Sequence, residues 1–115
     1  MYVIGVDIGG SHITACVYNH ATNALKSESL VNRKVNTETS RDEILREWAD
    51  AIKACRDILG VDIRGVGMAM PGPFNYYEGI SMVDGVRKLQ DLYGVNIRKS
   101  LADRLGITPS RIRFI

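Results

Sequence analysis

The sequence predicts an α/β domain, a mixed five-stranded sheet with helices in the order strand, strand, strand, helix, strand, helix, strand. Three observations carry this. The opening part of the chain holds three segments rich in β-branched residues, separated by short polar turns, as antiparallel hairpins require. A long amphipathic helical stretch follows. After it, strand-like and helix-like segments alternate, the pattern of parallel strands joined by crossover helices. With 115 residues, 45% hydrophobic and 24% charged, the chain has the size and composition of one globular domain with a real core.

The first strand is expected over Tyr2 to Ile8, the second over Ile13 to Asn19 and the third over Leu25 to Arg33, with Asn19-His20-Ala21-Thr22-Asn23 as a polar turn. The clearest helix begins at Ser40, which with Glu43 has the spacing of a capping box. Ile44, Leu45, Trp48, Ala51, Ile52, Cys55, Ile58 and Leu59 then recur at helical spacing until Gly60 ends the run, so Trp48 is assigned to the core. A strand follows over Gly65 to Met70, then a long irregular loop from Asn75 through Asp91. A short helix is expected from Asn96 to Leu105, stopped by Gly106, and a last strand from Arg111 to Ile115. That strand would leave Ile112, Phe114 and Ile115 on an edge or face with no following helix to cover it, which favours a homo-oligomer.

Composition narrows the partners. The N-terminal run meets Asp7 too early for a signal peptide or a membrane span, so a cytoplasmic protein with no membrane partner is expected. Cys16 falls in a strand and Cys55 on the helical stripe, without metal-ligand spacing, as reduced core thiols would. From residue 86 onward seven basic residues face Asp91 and Asp103, a balance of +5, so the first 85 residues carry −3 of the total +2. These cations are scattered over a loop, a helix and a strand without interleaved aromatics, which reads as a solvated face and disfavours a nucleic-acid partner.

Two motifs carry chemistry. Val6-Asp7-Ile8-Gly9-Gly10-Ser11-His12 puts a carboxylate at the end of a buried strand, then two glycines and a hydroxyl in a tight turn. Uncovered glycine amides can form an anion-binding concavity while the carboxylate handles a metal ion or its water. The segment lacks the Gly-Lys-Ser/Thr of a P-loop and the three spaced glycines of a dinucleotide fingerprint, and it joins strand to strand. A hairpin whose glycines serve only the turn is the competing reading. In the second motif, Arg64 to Phe74, Val66, Met68 and Met70 fall on one side of a strand and Gly65, Gly67 and Ala69 on the other. Pro71-Gly72-Pro73 ends that strand in a stiff corner.

Together these segments resemble the N-terminal half of ROK-family sugar kinases, within the actin-like ATPase and sugar kinase group of ribonuclease H-like fold. The resemblance rests on Gly5-Val6-Asp7-Ile8-Gly9-Gly10-Ser11, on Gly65-Val66-Gly67-Met68-Ala69-Met70-Pro71-Gly72-Pro73, on Glu78-Gly79-Ile80 and on Tyr93-Gly94-Val95-Asn96-Ile97, and runs the length of the chain. It departs at His12, which reads as an ordinary strand residue. The resemblance implies ATP and Mg²⁺ as cofactors and a small-molecule sugar as substrate. Asp7 would orient the Mg²⁺ through its water, Gly9, Gly10 and Ser11 would meet the phosphates, and Gly72 and Gly85 would lie on the sugar side. Tyr76, Tyr77, Glu78, Asp84, Arg87 and Lys88 are further polar groups of the long loop able to meet a sugar, with Glu78 and Asp84 held as possibilities.

The Asn-Asp pair whose Asp is the family's catalytic base, and its Glu-x-Gly-His motif, would follow Ile115. No catalytic residue is therefore assigned within residues 1–115, which are expected to form the N-terminal domain of a ROK sugar kinase, ending before the fold is complete and inactive without the second domain. The enzyme would phosphorylate a hexose or N-acetylhexosamine; the sequence does not name which. A sugar-sensing regulator of the same family and a non-catalytic interaction domain are the alternatives, separable by reading the sequence beyond Ile115 for those motifs.

Overall fold

In the computed structural model, which describes residues 1–85 and 87–115, the first strand β1 (Tyr2–Ile8) is the centre of a five-stranded sheet. It pairs antiparallel with β2 (His12–Asn19), from Tyr2 opposite Asn19 to Ile8 opposite Ile13. On its other side it pairs parallel with β4 (Ile63–Ala69), Asp7 lying beside Ala69. β3 (Ala24–Lys34) extends the sheet beyond β2, and β7 (Ile112–Phe114) runs parallel to β4 at the opposite edge. The order β3-β2-β1-β4-β7 is the expected mixed sheet.

Helix α1 (Arg41–Leu59) starts as the capping residues require: Ser40 is extended and its hydroxyl accepts the Glu43 N–H at 3.3 Å. The Glu43 carboxylate turns instead to Arg46 at 2.8 Å, which holds its acid below the usual carboxylate range. Helix α2 (Ile97–Leu105) is capped by the Asn96 side chain, which accepts the Lys99 N–H at 3.0 Å, and ends at Gly106 in a left-handed turn. Ile4, Val6, Ile13, Val17, Val66, Met68 and Ile112 project from one face of the sheet into the core with Trp48, Ile44, Ile52, Ile97 and Leu101 of the helices. Gly5, Asp7, Gly65, Gly67 and Ala69 take the alternate positions of β1 and β4.

Several expectations are corrected. Ile58 is 49% exposed, because Leu59, one position on, takes the inward place against the core. The stretch from Asn75 through Asp91 is not structureless. Phe74–Asn75 (β5) and Ile80–Ser81 (β6) form a small hairpin, a 3-10 turn spans Gln90–Leu92, and buried Val83, Leu89 and Leu92 pin the segment to the core. Although β7 is an edge strand, its Ile112 and Phe114 side chains are buried. The ring of Phe74 lies 4.9 Å from that of Phe114 and the Arg98 guanidinium 5.2 Å above it, so only Ile115 of the three is bare, at 82%.

The sheet holds one feature that propensity does not reveal. Between the Ala15–Val31 and Val17–Lys26 pairs, β3 carries extra residues and the ladder is broken. Ser29 repairs it from within the core: its hydroxyl accepts the Val17 N–H at 2.8 Å and donates to the Lys26 carbonyl at 2.6 Å. A buried amide is thereby satisfied without a backbone partner.

Candidate functional site

The first motif lies where β1 turns into β2. The Gly9 N–H donates to the His12 carbonyl at 2.9 Å and closes the hairpin. The N–H groups of Gly10 and Ser11 have no partner among the described residues, so they are the turn's available donors. His12 opens β2, as an ordinary strand residue would, and its Nδ1 lies 3.1 Å from the Ser11 hydroxyl. The turn is fixed from behind. Ser11 accepts the Val35 N–H at 2.8 Å, and the buried Thr37 hydroxyl donates to the Gly10 carbonyl.

The second motif ends beside the first. β1 and β4 are parallel neighbours, so the turn after Ile8 and the Pro71-Gly72-Pro73 corner after Ala69 emerge at the same end of the sheet. Carboxyl ends of adjacent parallel strands are where α/β sheets form their ligand crevices. Here a cleft of about 580 Å³ is lined by Gly10 on one side and by Pro71 and Gly72 on another. Glu38, Val83, Arg87, Lys88 and Leu89 complete it.

The cleft brings together Gly10 and Gly72 of the sequence-assigned residues. Asp7 lies outside its lining, at an exposed alternate position of β1, and its carboxylate makes no hydrogen bond or ion pair with the described residues. Gly85 also lies outside it, in a left-handed turn at φ 78° whose N–H donates to the Asp84 carboxylate and the Gln90 amide oxygen, both at 2.9 Å. Asp84 is thus held inside its own loop, also accepting from Gln90 Nε2 at 3.0 Å. Glu78 donates its N–H to the Asn75 side chain at 2.9 Å, in the hairpin turn. Tyr76 stacks edge-on against Phe74 and Tyr77 is 87% exposed; both lie outside the cleft.

Sequence reasoning missed Glu38 and Thr37. Glu38 accepts from Arg87 Nε at 2.7 Å across 49 residues of chain, and Thr37 joins two loops through its hydroxyl and carbonyl. No local pattern marks either residue, since each acquires its partner through the tertiary fold. Arg87 and Lys88, read as loop polar groups, do face the cleft, because the Leu89 N–H donates to the Thr37 carbonyl at 2.7 Å and holds their segment against the turn. Among the described residues no group of three or more His, Cys, Asp or Glu is placed to hold a metal ion, and no helix is long and apolar enough to cross a membrane.

Comparison with solved structures returns the same fold in sugar kinases. A ROK hexokinase from Thermus thermophilus superposes with a TM-score of 0.78 at 24% identity, over 100% of this chain and 35% of that one. A ROK family glucokinase from Streptomyces griseus, in complex with glucose and AMPPNP, gives 0.77 at 18% identity over 99% of this chain and 32% of that one. An inorganic polyphosphate/ATP-glucomannokinase from Arthrobacter sp. strain KM gives 0.76 at 19%, over 99% and 43%. The chain therefore spans about a third to two-fifths of the length of these enzymes. None of the curated proteins matches it. The ROK family model matches residues 3–110, and with the mixed sheet and both motifs in place, the chain belongs to the ROK family.

Proposed function

We infer that this chain is the N-terminal domain of an ATP-dependent kinase that phosphorylates a hydroxyl of a hexose or N-acetylhexosamine. One observation carries the reading: a single cleft joins the glycine turn after β1 to the Pro-Gly-Pro corner after β4, so a phosphate held at one wall and a sugar held at the other would lie within reach. The glucose- and AMPPNP-bound Streptomyces griseus glucokinase and the polyphosphate/ATP-glucomannokinase share this domain's fold, which supports ATP as the donor and a hexose as the acceptor.

The residues present fit the implied cofactors. Mg²⁺ keeps several waters and takes one or two carboxylates plus substrate phosphates, so it needs no dedicated cage. The exposed Asp7 carboxylate, free of partners among the described residues, can orient such a hydrated ion, and the Gly10 and Ser11 amides can meet phosphate oxygens. When bound, ATP supplies the phosphoryl group and Mg²⁺ neutralises charge on it. Gly9 closes the hairpin that presents the two donors, and Gly72 lets the backbone approach the sugar without a side chain between them. The Glu38 carboxylate is held by Arg87 at 2.7 Å, so the base for the sugar hydroxyl is assigned to a part of the enzyme outside these residues, as is the second wall of the nucleotide site.

Phosphate transfer from ATP to a panel of hexoses and N-acetylhexosamines by the kinase that contains this chain tests the reading. Asp7→Asn should lower kcat by roughly 10- to 100-fold, the effect of losing an outer-shell metal contact, with sugar affinity nearly unchanged. An unchanged kcat with a raised sugar KM would instead assign Asp7 to the sugar. Residues 1–115 alone should show no turnover; turnover abolished by Asp7→Ala would sink the assignment of the base elsewhere.

A further inference from the structure

We propose that Lys88 is a phosphate-binding residue whose ammonium, laid over the Gly10 turn, holds oxygens of the terminal phosphoryl group at the turn's free amides. The proposal rests on the phosphate-turn reading above and moves Lys88 from the sugar side, where the sequence placed it, to the phosphate side.

A Cβ built on Gly10 would stand 3.2 Å from Lys88 Cδ and 3.6 Å from its Nζ, so the lysine stem lies on the glycine and its charge reaches the turn. Glycine at this position is what leaves room for it. Arg87 is bound to Glu38 at 2.7 Å, whereas among the described residues no carboxylate lies within 4.0 Å of Lys88 Nζ. Of the two adjacent cations, Arg87 is paired with Glu38, and Lys88 brings to the cleft a charge with no ion-pair partner among the described residues.

Leu89 is buried in a left-handed conformation at φ 65°, and its N–H donates to the Thr37 carbonyl at 2.7 Å. The hydroxyl of the same Thr37 donates to the Gly10 carbonyl. Lys88 is thus tied, one residue from its own backbone, to the turn that its side chain covers. An anion at that place meets the N–H groups of Gly10 and Ser11 and a compact point charge, the combination by which glycine turns with a lysine hold phosphate. A terminal phosphate of a nucleoside triphosphate and the phosphate of a sugar phosphate share this chemistry.

Amide-resolved NMR titration of the 115-residue chain tests the proposal, with ATP plus Mg²⁺, inorganic tripolyphosphate, glucose 6-phosphate and glucose as probes. Shifts of the Gly10 and Ser11 amides report the turn. Lys88→Gln should weaken the phosphate probes by roughly tenfold, the effect of one charge-assisted contact, and Lys88→Arg should weaken them less. Lys26→Gln, the same charge change on β3, should leave them unaltered. Loss confined to ATP and tripolyphosphate identifies the nucleotide as the source of the phosphate; loss confined to glucose 6-phosphate identifies the product. If the turn amides respond but Lys88→Gln binds every phosphate probe as the native chain does, the proposal fails and the turn reading stands. A weakened glucose response with unchanged phosphate binding returns Lys88 to the sugar and also overturns it. No response of the Gly10 and Ser11 amides to any phosphate probe would overturn the turn reading, and the Lys88 assignment with it.

Discussion

Gly79 should be the costliest glycine of the chain to replace. It sits at φ 77°, where an L-residue is strained by about 1–2 kcal/mol. A Cβ there would also lie 2.8 Å from Arg98 Cβ and 3.1 Å from Phe114 Cε2. Arg98 Cβ is fixed to the first turn of α2, so it cannot swing aside as a side-chain tip could, and relieving the overlap should add about 1–3 kcal/mol. The damage would spread. The Gly79 carbonyl accepts the Ile97 N–H at 2.7 Å, and the Arg98 guanidinium holds the Tyr77 and Ile112 carbonyls at 2.7 and 3.1 Å. Gly94→Ala is the internal control, with φ 75° but no atom within 4 Å of the new Cβ. Urea unfolding should show Gly94→Ala losing about 1–2 kcal/mol and Gly79→Ala about 2–5 kcal/mol, from midpoints at unchanged slope. Equal losses in the two variants, to within about 0.5 kcal/mol, would mean that α2 and the hairpin yield freely and would refute the steric argument.

Trp48→Ala should cost about 3–5 kcal/mol in the same assay, whereas Ile58→Ala, on the same helix but half exposed, should stay within about 0.5 kcal/mol. Ser40→Ala removes the acceptor for the Glu43 N–H and should cost about 1 kcal/mol, with most of the loss restored by Ser40→Asp. A thiol reagent should label part-exposed Cys16 in the folded protein and reach buried Cys55 only on unfolding. Burial pushes the Cys55 thiol up. Its contribution is therefore complete below the ordinary thiol range and declines as pH rises through and above it, so Cys55→Ala should flatten the alkaline fall of stability in thermal melts. A melt whose alkaline limb is unchanged by that substitution would place the responsible group elsewhere.

Relation to longer enzymes also has a physical side. Among the described residues no helix packs on the face of the sheet that carries Gly5, Gly65 and Gly67, since the buried positions of β1, β2, β4 and β7 alternate toward α1 and α2. Asp7 stands at the end of that same set of positions, in line with β1. The role proposed for it therefore depends on what approaches the strand end, whereas the cleft residues are already assembled by the domain itself.

Elements whose signals are local can be read without the fold. The Tyr2–Ile8 strand, the capped helix from Ser40 to Gly60 and the Asn96–Gly106 helix are written in period, cap and stop residues, each acting within a few positions. The two motifs were legible for the same reason, because a glycine turn and a proline corner announce themselves wherever they fold. Tertiary structure alone decided the rest. Val83, Leu89 and Leu92 look like scattered apolar residues in a long loop, and become anchors only when the core is present to bury them. Ser29 mends a ladder broken by a register shift that no propensity contains. Thr37 joins the Gly10 turn to Leu89, and Glu38 meets Arg87, across separations that carry no periodic signal. Asp7 and Gly10 are near neighbours in sequence, yet Gly10 lines the cleft and Asp7 does not, because alternation along β1 and the sharp turn after it send them different ways.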